Sequence, residues 1–289
     1  MQVLRSLAQL TKVRIALLGA LSAGMGAILQ DGGALAAAAS AAAGVFVLAC
    51  GACALNEYQE RHLDRQMRRT ASRPLASGLV RPRHAAVLIA VLLSVGTATL
   101  FAGCGAVPTG LGLAAALWYN AVYTPLKRRT AFAAIPGALI GAVPPAVGWT
   151  AAGGSLLCPT LWAVGLFFFL WQVPHFWLLL LHHGDDYQRA GLPSLTTRLT
   201  TTQLARTTFV WIAASAVSCL FIPMFAALHS YLLVWVLLGA GVWLVATAAE
   251  LLKLPRQALP ANFGFRQMNL YAFVVVCALS LGKALTFAG

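Results

Sequence analysis

Nine times along this chain, apolar residues run on for long enough to cross the hydrocarbon core of a bilayer, which takes about 20 residues in helical form. The runs lie near residues 12–29, 34–55, 84–102, 107–125, 132–152, 160–182, 207–227, 231–249 and 267–287. Backbone in hydrocarbon must satisfy its own hydrogen bonds, so such runs are helices. The expected fold is all-α, a polytopic membrane bundle of nine transmembrane helices forming a single integral-membrane domain over residues 1–289. Composition excludes the soluble alternative: at 60% hydrophobic and 9% charged residues there is too little polar side chain to cover a water-exposed surface. Pro136, Pro144 and Pro145 interrupt the fifth run, and the gap between the seventh and eighth, near residue 230, is short. Proline is tolerated in a bilayer where neighbours satisfy the freed backbone groups.

Short loops rich in Lys and Arg stay on the cytoplasmic side. Arg5, Lys12 and Arg14 stand at the start of the first run, and Arg61, Arg65, Arg68, Arg69, Arg73, Arg81 and Arg83 fill the second connection. Lys127, Arg128 and Arg129 follow the fourth run, Arg189, Arg198 and Arg206 the sixth, and Lys253, Arg256 and Arg266 the eighth. With nine helices, every basic residue except Lys283 falls on one face, so the expected orientation has the N-terminus cytoplasmic and the C-terminus outside, in a bacterial inner membrane. The same distribution accounts for the net charge of +13 without nucleic acid, since the basic residues are spread over loops and form no recognition module. The first run is long enough for an anchor and shows no clear export-type cleavage site, so no cleavable signal is expected. Cys50, Cys53, Cys219 and Cys277 lie within apolar runs, which favours packing over a disulfide framework or redox chemistry.

Against this background the acidic residues are conspicuous. Of seven in the chain, five fall into two clusters, Glu57, Glu60 and Asp64 at the end of the second run and Asp185 and Asp186 at the end of the sixth. At the helical period Asn56, Glu60 and Asp64 stand at i, i+4 and i+8 on one face, an oxygen-rich row. Ion pairing with the nearby Arg61, Arg65 or Arg68 is the structural alternative. Both clusters end on the cytoplasmic side, and carboxylates in such numbers suit a hard cation. Mg²⁺ in particular binds through one or two carboxylates plus substrate phosphates. The surrounding Lys and Arg suit a diphosphate. A diphosphate on an apolar tail is the economical substrate at a membrane edge.

These blocks resemble the intramembrane, UbiA-type prenyltransferase superfamily typified by 4-hydroxybenzoate polyprenyltransferase, whose first signature is Asn-x-x-x-Asp-x-x-x-Asp. Here Glu60 replaces the middle Asp. Within the superfamily the chain resembles the protoheme IX farnesyltransferases, or heme O synthases. The resemblance lies in Met67-Arg68-Arg69-Thr70 with Arg73-Pro74, Tyr123 to Thr130, Gly141 to Pro145 with Gly148-Trp149, Trp171 to Trp177, and Asp185-Asp186-Tyr187 with Ala190 to Pro193. It covers residues 11–195 in order and is weak beyond them. The chain departs from the family pattern at His62 (usually Asp), His183 (near a usual Arg), Ala133 (near a usual Asn) and Lys12-Val13-Arg14 (usually Lys-Pro-Arg). Glu60 keeps the carboxylate with an added methylene, while His62 leaves the first cluster less acidic than is usual.

The resemblance implies transfer of a farnesyl group from farnesyl diphosphate to a vinyl group of heme B, giving heme O and diphosphate. On it, Asn56, Glu60, Asp64, Asp185 and Asp186 are expected to hold Mg²⁺ on the diphosphate, and Arg69, Arg73, Lys127 and Arg128 to neutralise its remaining charge. His175, with Trp171 and Trp177, is the expected heme-binding group, because it is the histidine well inside a membrane run and imidazole is a usual heme ligand. Hydrogen bonding of a neutral ring to a neighbouring helix is the competing reading. Trp118 and Tyr123 are further stacking candidates; His62, His182 and His183 are expected at the cytoplasmic mouth, and His84 and His229 at the membrane interface. The resemblance also brings in a heme A synthase or the terminal oxidase as partners, with no residue bearing on them. Two other activities use similar parts: prenylation of a quinone precursor or chlorin, and transport of a cation or heme. Transporters usually place their site at the bilayer midplane on broken helices, whereas both acidic clusters here end on one side.

Overall fold

The structure is a computed structural model that describes residues 2–32, 34–226, 230–253 and 264–288. Arg256 and His229 lie outside the described residues. The described chain is helical throughout, without strands. Helix α1 (Gln2–Leu10) leads into α2 (Val13–Gln30), α3 (Leu35–Asp64), α4 (Pro82–Cys104) and α5 (Ala106–Leu117). Helix α6 (Leu139–Ala151), α7 (Pro159–Arg189), α8 (Thr201–Ser218), α9 (Tyr231–Ala248) and α10 (Phe265–Ala288) complete the bundle.

Eight helical segments among the described residues are long and apolar enough to span a membrane. The ninth expected run, 107–125, is helical too, but α5 passes into a π-helix at Trp118–Tyr123 and one last turn at Thr124–Leu126. In the proline-bearing fifth run, a turn at Ala134–Gly137 precedes α6, which carries Pro144 and Pro145 inside it. Helix α8 begins at Thr201, earlier than the apolar run at 207, because Thr200 and Gln203 form a reciprocal capping box.

Two helices outlast the bilayer. Helix α3 has 30 residues and α7 has 31. At 1.5 Å per residue each is about 45 Å long, against a hydrocarbon core of about 30 Å. The surplus is enough to carry Asn56 to Asp64 and His182 to Arg189 beyond a hydrocarbon core as ordered helix, not loop. A break at His183 (φ −123°, ψ 20°) turns the last residues of α7.

Elsewhere the bundle closes by small residues and large rings. Helices α2 and α6 meet backbone to backbone: a Cβ on Gly148 would overlap the Ala23 carbonyl, and one on Gly26 the Pro145 carbonyl. Close approach through small residues is the usual way helices associate in lipid. The largest core cluster joins Phe167, Phe168, Trp171 and Trp177 of α7 to Met268 and Tyr271 of α10. Val87, Val91 and Val95 on α4 and Leu232, Trp235 and Val242 on α9 are exposed, as expected of lipid-facing surfaces.

Candidate active site

The row on α3 is built as the helical period requires, and it is buried. Asn56, Glu57, Glu60 and Asp64 are all shielded, Glu57 and Asp64 completely. Buried carboxylates need partners, and three separate segments supply cations. Lys127 Nζ, just past the π-helix, lies 2.7 Å from Glu60 Oε1. Arg73 Nη1 donates to both oxygens of Asp64. Lys12 Nζ donates to Asn56 Oδ1 at 3.0 Å, while Asn56 Nδ2 donates to Thr124 Oγ1 at 2.8 Å. Arg61 and Arg65, the sequence-adjacent alternatives, turn instead to the backbone carbonyls of Tyr58 and Ala76.

Lys12 was legible in the sequence as a topological charge; its hydrogen bond to Asn56 was not. It sits between α1 and α2 in the left-handed region at φ 49°, the one non-glycine residue there among those described. Leu10, fully buried with Ala54, Leu75, Ala85 and Ile89, pins the end of α1 and thereby the turn. Burial lowers the Lys12 pKa, the like charges of Arg73 and Lys127 act in the same sense, and Cys53 and Glu60 oppose them. For Arg73 burial also acts to lower the pKa, but the Asp64 carboxylate outweighs it and the guanidinium is held above its ordinary value.

The segment after α3 folds back over the row. Thr70 Oγ1 donates to the Asp64 carbonyl, and the Leu75 amide donates to Glu57 Oε1 at 3.2 Å, leaving Glu57 Oε2 buried without a hydrogen bond. The same segment reaches the second acidic cluster: the Arg69 amide donates to Asp186 Oδ2 at 3.1 Å, and Arg189 pairs with Asp186 Oδ1 at 3.3 Å. Asp186 is buried and Asp185 exposed. The Arg69 side chain is exposed, and Arg128, also exposed, donates to the Gln59 carbonyl. The two clusters are thus joined through residues 64–73.

Deeper along α7 lies an aromatic group. Lys127 Nζ stands 5.0 Å over the Tyr123 ring, Tyr123 stacks on Tyr119 and on Phe176, and Phe176 adjoins His175. The His175 ring is flanked by Trp171 at 5.0 Å and Phe265 at 4.2 Å, and its Nδ1 is buried without a partner. The Trp171 indole donates to the Met268 carbonyl, whereas Trp177 Nε1 is buried and unsatisfied. The π-helix at Trp118–Tyr123, a feature common at functional sites, puts Tyr123 in this stack; no signal in the composition marks it.

Among the described residues no three His, Cys, Asp or Glu side chains gather closely enough to hold a metal by themselves. The donors of the row and Asp186 are all oxygens, the set a hard divalent cation prefers. A metal that takes one or two carboxylates and completes its shell with phosphate oxygens fits them.

The sequence model of the UbiA prenyltransferase family matches residues 16–282, and the chain belongs to that family, a class of integral-membrane prenyltransferases. In fold it is similar to a UbiA homolog from Archaeoglobus fulgidus bound to GPP and Mg²⁺, with a TM-score of 0.71, 12% identity and coverage of 97% of this chain and 99% of that one. It is 43% identical over 227 residues to the protoheme IX farnesyltransferase of Geobacter sulfurreducens, covering 78% of this chain and 84% of the relative. To the protoheme IX farnesyltransferase of Oleidesulfovibrio alaskensis it is 35% identical over 284 residues, 98% of either chain.

Proposed function

We propose that this chain transfers the farnesyl group of farnesyl diphosphate to a vinyl carbon of heme B, releasing diphosphate and, after addition of water, giving heme O. The observation that carries the reading is the row of buried oxygen donors on α3 faced by Lys12, Lys127 and Arg73, at the end of a helix long enough to leave the hydrocarbon. That arrangement suits a charged head group whose apolar tail stays between helices, and the likeness to protoheme IX farnesyltransferases names the chemistry.

Asn56, Glu60, Asp64, Asp185 and Asp186 would hold Mg²⁺, which supplies charge neutralisation for the departing diphosphate. Arg73, Lys127, Arg69 and Arg128 bind the diphosphate oxygens as the allylic C–O bond breaks and its electron pair leaves with the phosphate, an electrostatic role aimed at developing charge. Tyr119, Tyr123 and Phe176, whose rings stand between Lys127 and His175, exclude bulk water from the allylic carbon. His175 offers an imidazole to the heme iron. Trp171, whose N–H is engaged, contributes its ring face, and Trp177 a ring and an unused N–H. The basic loops orient the site to the cytoplasm, with the N-terminus inside and the C-terminus outside a bacterial inner membrane. A heme A synthase or terminal oxidase downstream is carried by the family resemblance alone.

The test is mass spectrometry of non-covalent hemes extracted from membranes of a heme O-deficient host expressing the chain. Heme B carrying one added farnesyl group and one added hydroxyl group, the proton of the added water being lost, is the expected product. Unchanged heme B in a well-expressed, folded preparation overturns the reading in favour of another prenyl acceptor, such as a quinone precursor or chlorin.

A further inference from the structure

We propose that Gly137 is a positioning residue for Tyr123: its missing side chain lets that ring lie flush in the aromatic stack, and so keeps water from capturing the farnesyl group before heme does. The inference rests on the reading of the site as one for prenyl transfer to heme.

The Tyr123 ring fills the space that a side chain at Gly137 would occupy. A Cβ there would stand 2.5 Å from Cδ2, 2.6 Å from Cε2 and 3.2 Å from Cγ of Tyr123. The ring itself is buried, stacks on Tyr119 at 5.9 Å and on Phe176 at 5.6 Å, and carries Lys127 Nζ 5.0 Å over its centre. The backbone at Gly137 is held as well. Ala134, at the start of the turn, and Ala138, just after Gly137, are buried in the cluster that contains Phe168 and Trp171 of α7. Trp118 Nε1 donates to the Pro136 carbonyl at 2.9 Å, which ties the turn to the first residue of the π-helix.

The π-helix is fixed from its own side. Asn120 Nδ2 donates to the Ala116 carbonyl, and the Thr124 hydroxyl joins its backbone N–H on the Tyr119 carbonyl. With turn and π-helix both held, a methyl group at position 137 is accommodated by moving the Tyr123 ring. That ring meets Phe176, the neighbour of His175, and Lys127, the partner of Glu60. Its displacement therefore opens the stack between the charged end and His175. Water entering there adds through its oxygen to the allylic carbon as the C–O bond breaks. Diphosphate leaves with the electron pair, and the added water gives up a proton to solvent. The products are then farnesol and diphosphate, without heme O. Excluding water from a reactive group depends on closure of the site, and a buried ring wedged against a glycine is a contact of that kind.

The full chain in detergent, supplied with farnesyl diphosphate and heme B, is assayed for farnesol and heme O together. Gly137→Ala is expected to raise the ratio of farnesol to heme O about 10-fold or more, the scale of a small misplacement at a reacting centre. The KM for farnesyl diphosphate should stay within about 2-fold, since no diphosphate contact is removed. A general loss of folded protein lowers both products and leaves their ratio alone. Should Gly137→Ala not accumulate, Tyr123→Leu alone and combined with Gly137→Ala carries the test. Loss of the ring removes the clash, so the double variant is expected to accumulate and to match Tyr123→Leu in its ratio, the non-additivity of two residues acting through one contact. An unchanged ratio in Gly137→Ala overturns the inference and leaves the site reading standing. So does a double variant that fails to accumulate where Tyr123→Leu does, or whose ratio the added methyl group raises further. No heme O from the unmodified chain overturns heme as the acceptor, and the inference with it.

Discussion

A single guanidinium nitrogen of Arg73, Nη1, lies 2.9 Å from Oδ1 and 2.8 Å from Oδ2 of Asp64, so one cation spans both oxygens of a fully buried carboxylate. The pair ties the segment after α3 back onto the end of that helix and puts a charge where a diphosphate is expected. Asp64→Asn keeps the shape and one acceptor oxygen but removes the charge. Turnover is expected to fall by about 100-fold or more, the scale of losing one electrostatic group at a reacting centre. The protein should remain inserted and folded by thermal unfolding in detergent. Near-normal turnover would remove Asp64 from the site.

Thr124 holds Asn56 from the other side, accepting from Nδ2 at 2.8 Å while donating its own hydroxyl hydrogen to the Tyr119 carbonyl. Thr124→Val strands the buried Asn56 Nδ2 with little change in volume, while the Tyr119 carbonyl keeps the Thr124 backbone N–H. A loss of about 1–3 kcal/mol for the stranded group is expected, measured as a lower unfolding midpoint, along with weaker prenyl diphosphate binding as Asn56 loses its orientation. Thr124→Ser should restore both, because it returns the hydroxyl.

His175 keeps a buried Nδ1 without a partner between Trp171 and Phe265. His175→Ala is expected to abolish heme retention during purification, read from the Soret band, while leaving the KM for farnesyl diphosphate within about 2-fold, since this ring lies away from the cations. A variant that retains heme unchanged would argue for a packing histidine.

Gly148 and Gly110 provide a matched pair for the bundle itself. A Cβ at Gly148 would run into the Ala23 carbonyl of α2, whereas a Cβ at Gly110 meets open space. Gly148→Ala is expected to cost more than about 3 kcal/mol, since rigid backbone cannot yield as a side chain can, and to lower the amount recovered from membranes severely. Gly110→Ala should accumulate at the level of the unmodified protein.

How far each of these features was legible in the sequence differs by residue, and for a physical reason. The membrane leaves a chain few options: apolar runs must be helices, and the 3.6-residue period then sets Asn56, Glu60 and Asp64 on one face whatever surrounds them. Those are local properties, and the structure has them. The likeness of the Met67–Thr70, Tyr123–Thr130 and Trp171–Trp177 blocks to one family was legible for the same reason, since each is a contiguous string. The partners of the row were not. Arg61 and Arg65 stand beside the acids along the chain, but the helix end points them at backbone carbonyls, and Lys127 and Lys12 come from 67 and 44 residues away. Asp185 and Asp186 look alike in sequence; the turn at His183 and the Arg69 amide, 117 residues distant from Asp186, leave one exposed and bury the other. Solvent and period act on each residue where it stands, so they determined the spans and the oxygen-bearing face. Which cation meets which oxygen depends on how separate helices come together, and only the tertiary structure decided it.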